Sequence, residues 1–75
     1  MMIDPKCKKF LQHVGLRVRK LRIDRGWTLE QTEEHGWPSW RHLQKIESGK
    51  NITLATVWNV AKLLKVDPAD LMKNH

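Results

Sequence analysis

The chain has 75 residues, 14 Lys+Arg against 8 Asp+Glu, a net charge of +6 and a pI near 9.9. A chain this short buries only about 60% of its unfolded surface, so one domain with one core is expected, and 40% hydrophobic with 29% charged residues is a globular rather than a disordered composition. No apolar run approaches the roughly 20 residues of a membrane span, and the cationic balance points to a polyanionic partner, either nucleic acid or an anionic membrane surface.

Asp4-Pro5 opens the first predicted helix, with a capping side chain followed by proline where its missing N–H costs nothing. Cys7, Leu11, Val14, Val18 and Leu21 then recur at steps of three and four, a stripe expected to be buried as far as Gly26. The rest of this helix is basic: Lys6, Lys8, Lys9, Arg17, Arg19, Lys20, Arg22 and Arg25 stand against Asp24 alone. Thr28 with Gln31 three residues on fits a capping box, so a short, acidic second helix is predicted from about residue 29 to 35. The stretch "GWPS" interrupts it, because Gly36 tolerates left-handed dihedrals and Pro38 biases Trp37 away from helix.

Ser39 is the predicted cap of a third helix running to about Ser48 and closed by Gly49. Thr53 caps a fourth, with Leu54, Val57, Val60, Ala61 and Leu64 on its inner face, and Asp67-Pro68 opens a last helical turn holding Leu71 and Met72. No stretch alternates with period two. The fold class is therefore all-α, five helices without a sheet.

In "SWRHLQKIESGK" (residues 39 to 50), Leu43 and Ile46 point one way, while Trp40, Arg41, Gln44 and Lys45 point the other. A short helix, a brief break and a second helix with a cationic outer face make a helix-turn-helix, whose second helix fits the roughly 12 Å major groove. Arginine reads guanine through two parallel donors, and glutamine pairs with adenine. Trp40 has two readings at this point, packed beside Trp37 or Leu43, or stacked near a sugar or a thymine methyl. Lys6, Lys8 and Lys9 read as a solvated flank that strengthens the field around the domain.

"VGLRVRKLRIDRGWTLEQ" and "SWRHLQKIESGKNITLATVWNVAKLLKVDPADLM", with the spacing between them, resemble the phage-repressor-like (Cro/XRE-type) helix-turn-helix family over roughly residues 14 to 72. Residues 1 to 13 then form an N-terminal extension of the first helix. The resemblance implies a compact five-helix repressor-like domain with the motif in helices two and three. It implies base contacts from Ser39, Trp40, Arg41, Gln44 and Lys45, and backbone contacts from Thr28, Arg22, Lys50 and Asn51, with Arg22 also paired to Glu47. The second helix departs from the family pattern: Thr32 and Glu33 stand where Leu-Ala is usual, and Trp37 stands where the turn has Gly. A buried unpaired Glu33 would be unfavourable, so a slipped or shortened second helix is expected, with Leu29 and a tryptophan filling the space.

The expected function is sequence-specific binding of double-stranded DNA by a homodimeric transcriptional regulator on a near-palindromic operator. Trp58, Val66, Leu71 and Met72 are the interface candidates. A protein-interaction module on the same scaffold, antitoxin-like or an accessory subunit docking an acidic partner, is the alternative. No nucleophile with a base, paired carboxylates or phosphate loop suggests an enzyme, and the four His lack the spacing of a zinc site, so neither cofactor nor metal is expected. So short a chain has little room for a small-molecule pocket. With no apolar leader at "MMIDPKCKKF", the expected location is the cytoplasm, on the nucleoid when bound to DNA.

Overall fold

The computed structural model describes residues 3–73. Its elements are α1 (Pro5–Asp24), a 3₁₀ helix (Glu30–His35), α2 (Trp40–Glu47), α3 (Leu54–Leu64) and α4 (Pro68–Met72), with no strand among the described residues. α1 starts where the Asp4 carboxylate accepts the Lys6 N–H at 2.7 Å, and Leu11, Val14 and Val18 face the core while Leu21 packs at its edge. Cys7 does not join that stripe. It is exposed along with every residue from 3 to 10, because the first turns of α1 overhang the elements packed beneath the rest of the helix.

The capping box forms reciprocally: Thr28 donates its N–H to Gln31 Oε1 at 2.8 Å, and Gln31 donates its N–H to Thr28 Oγ1 at 3.1 Å. The helix it opens is the tighter 3₁₀ form rather than an α-helix. Thr32 is fully buried and its hydroxyl donates back to the Leu29 carbonyl, which satisfies the one polar group this element places in the core. Glu33 stays outside. Trp37, 6% exposed, joins the core in place of an apolar pair on the second helix, and Leu29 and Trp27 pack partly buried against that core. Gly36 ends the helix at φ 101°.

Ser39 holds the cap position of α2 with extended backbone, but its hydroxyl caps nothing. Glu33 Oε2 accepts the Trp40 N–H at 2.8 Å instead, placing a carboxylate at the positive end of the helix dipole. The capping role expected of Ser39 thus belongs to a side chain of the preceding helix. α3 is capped as expected, Thr53 Oγ1 accepting the Thr56 N–H at 3.1 Å. Leu54, expected inside, is 78% exposed at the first position of α3, while Ile52 from the preceding loop packs against the core. Asp67 Oδ1 accepts the Ala69 N–H at 2.8 Å to open α4, which Arg17 ties to α1 through the Asp70 carbonyl at 3.2 Å.

The core comprises Val14, Val18, Trp37, Leu43, Ile46, Val57, Val60, Ala61, Leu64 and Leu71. Leu71 is 1% exposed and hence unavailable to a second copy, correcting its place among the interface candidates. Val66 and Met72 pack partly buried against the same core. α1 and α2 touch backbone to backbone where they cross. A Cβ at Gly15 would lie 2.5 Å from the Ile46 carbonyl oxygen and 2.6 Å from that of Glu47, so only glycine permits this approach.

Candidate DNA interface

α2 is held by two anchors and offers the rest of its surface. Leu43 and Ile46 are 0% and 2% exposed, while Arg41, Gln44 and Lys45 are exposed and Ser39 and Trp40 half-buried. Arg41 Cζ lies 4.8 Å from the Trp40 ring centre, so the indole supports the guanidinium from beneath and limits its rotamers without consuming its donors. Trp40 is thus a platform, neither core nor free surface. His42 turns aside and stacks on Trp37 at 5.7 Å and 4°.

The loop beyond α2 folds back on the helix end. Lys50 N–H donates to the Lys45 carbonyl at 3.2 Å, Ser48 Oγ to the same carbonyl at 2.8 Å, and Gly49 turns the chain at φ 89°. Lys50 and Asn51 are left exposed. Thr28 is exposed as well; its N–H is engaged by Gln31 Oε1, while its hydroxyl oxygen accepts the Gln31 N–H and keeps its own O–H to donate.

Arg22 and Glu47 lock α1 to the end of α2. Arg22 Nε lies 2.7 Å and Nη2 3.0 Å from the two carboxylate oxygens, and Nη1 donates to the Trp27 carbonyl at 2.7 Å. Two parallel donors on one carboxylate make a strong, directional pair. Arg22 is 8% exposed with each guanidinium nitrogen hydrogen-bonded to a protein oxygen, which gives it a structural role in joining the two helices. Both Glu47 oxygens are neutralised in the same step. The remaining exposed groups on the outward face of α2 are cationic or neutral, the polarity a phosphate backbone attracts.

Two contributors escape sequence reasoning. Glu33 reads in sequence as a misplaced acid, and only the fold brings it seven positions along the chain to the start of α2. Gly15 carries no turn signal, since it sits in mid-helix, and its role is visible only at the crossing. Among the described residues, no group of three or more His, Cys, Asp and Glu side chains could hold a metal ion, and no helix is long and apolar enough to cross a membrane.

A helix-turn-helix family model matches residues 18–71, from the middle of α1 through α4. No curated protein and no solved structure gives a significant match. The chain belongs to the helix-turn-helix family of the Cro/XRE type. It is a DNA-binding transcription regulator of that class.

Proposed function

We propose that the protein binds a specific double-stranded DNA sequence as a homodimer, with α2 in the major groove and Arg41, Gln44 and Lys45 against base edges. The observation that carries this reading is the split of α2, two apolar anchors fully buried and three hydrogen-bonding side chains presented outward beyond a capped turn. Ser39 and Trp40 stand at the start of the same helix. Lys50 and Asn51 lie where they would meet the backbone. Regulation then depends on protein concentration and pairing in the cytoplasm, where the operator is.

The reading separates two kinds of side chain. Arg41→Ala should cost about 1–3 kcal/mol on the best site and relax preference at one base pair, because a bidentate contact carries discrimination. Lys50→Ala should weaken all sequences alike and lower the log–log salt slope by about one, because a phosphate contact carries charge without sequence information. Binding to a randomised operator library at two salt concentrations distinguishes them. If Arg41→Ala folds normally and leaves the preferred sequence and its margin untouched, α2 is only a solvated surface.

One recognition helix reads few base pairs, and specificity normally comes from two copies about 34 Å apart on a near-palindrome. With Leu71 in the core, the dimer face falls to Trp58, 54% exposed, and its neighbour one turn earlier, Leu54, with Val66 and Met72 as partly covered flanks. Sedimentation should show a dimer for the parent and a monomer for Trp58→Glu. A strictly monomeric parent at high concentration, binding a lone half-site one to one, rules the dimer out.

A further inference from the structure

α1 starts at Pro5, whereas the family match opens at Val18, so the first half of the helix lies outside the shared motif. Its turns up to Phe10 are exposed and add nothing to the core. Lys8, Gln12 and Gly15 in that half, and Arg19 just inside the match, recur at steps of four, three and four, which puts them on one edge of the helix.

Three contacts show where that edge points. Gly15 meets the last carbonyls of α2, Gln12 lies against Gly49, where a Cβ would come within 2.8 Å of Gln12 Cγ, and Arg19 shares a surface hollow with Gln44, Glu47 and Ser48. The edge therefore runs beside the end of α2 and its loop, next to the side chains proposed to touch DNA. Lys8 lies about 6 Å further along the axis than Gln12, past the loop. Both cations are exposed, and neither is in an ion pair among the described residues. Glu47, the one acid in the hollow with Arg19, has both oxygens taken by Arg22.

We propose that Lys8 and Arg19, with the Gln12 amide between them, bind the phosphate backbone flanking the sequence read by α2, extending the footprint beyond the helix-turn-helix. The inference rests on the DNA-binding reading above. From Lys8 to Arg19 the edge is about 16 Å long, and one DNA strand presents a charge every 3.4 Å or so along its axis, so both cations can sit on phosphates at once.

The test compares two charge-matched double variants of the full chain against operator and random DNA across a salt series. Lys8→Gln with Arg19→Gln should lower the log–log slope by about two and the affinity at 0.15 M salt by about 30-fold, leaving base preference unchanged. Lys6→Gln with Lys20→Gln removes the same charge from the other side of α1 and should change the slope far less. Lys8→Arg with Arg19→Lys should restore the parent slope. Equal slopes for the two Gln pairs overturn the inference while leaving operator binding by α2 intact. A parent that binds all sequences alike instead defeats the specificity reading, and the slope comparison still decides this one. A parent that binds no DNA defeats both. All these side chains are exposed, so unchanged melting curves serve as the folding control.

Discussion

Glu47→Ala is expected to lower stability by about 3–5 kcal/mol, far beyond the roughly 0–1 kcal/mol of a surface pair. The two side chains are 10% and 7% exposed, so solvent screens them little. Removing the carboxylate leaves the Arg22 guanidinium shielded from water with the Trp27 carbonyl as its remaining acceptor. The loss is thus mainly that of an uncompensated buried cation, not of an attractive contact. For a domain of this size it should appear as a fall in melting temperature of more than about 12 °C. Glu47→Gln should fall between the parent and Glu47→Ala, because the amide oxygen can still accept one of the two hydrogen bonds. A melting curve for Glu47→Ala that overlays the parent would show the pair to be ornamental.

Gly15→Ala should be destabilising by about 3 kcal/mol, the upper end of what overpacking costs, since both obstructing atoms are backbone oxygens that cannot rotate away. The sign makes this informative. Helix propensity alone favours Ala over Gly by about 1 kcal/mol, so a site without the close approach would become more stable. The variant must also push α2 away from α1 to relieve contacts of 2.5 and 2.6 Å, tilting the recognition helix as it does so. Chemical denaturation with DNA binding on the same sample checks both effects. A more stable Gly15→Ala with parent-like affinity would show that the helices do not cross this closely in solution.

The all-helical architecture is legible in sequence because the starts of α1, α3 and α4 are local events. Asp4, Thr53 and Asp67 cap the residues immediately after them, and the pattern around Val14, Val18, Leu43, Ile46, Val60 and Leu64 is a period that needs no knowledge of the partner. Where burial depends on what lies across the gap, periodicity misleads. Cys7 and Leu54 keep the right spacing but sit in the first turns of their helices, where both are exposed. Leu71 errs the other way, drawn into the core by the return of α4 onto α1. The departure at Thr32 and Glu33 is readable as a problem of polar burial. Its solution is readable in part, a shortened helix with a tryptophan in the core, whereas the turn of the Thr32 hydroxyl onto the Leu29 carbonyl and of Glu33 onto the start of α2 is not. The outward side chains of α2 can be deduced from two anchors and a helical period, whereas the enclosure of Arg22 depends on Trp27 and Glu47 closing around it.

The Glu33 cap has a consequence for engineering this protein. Because the acceptor for the first free amide of α2 belongs to the preceding helix, the reading head is not a self-contained cassette. A graft of residues 40 to 48 alone would arrive with a frayed start, its first amide without the Glu33 acceptor. A transplantable unit begins at Thr28, where the capping box fixes the helix that carries Glu33, and runs through Lys50, whose amide closes the far end. Specificity swaps between relatives should accordingly exchange the outward side chains one by one on an intact frame, or move the two helices as one piece.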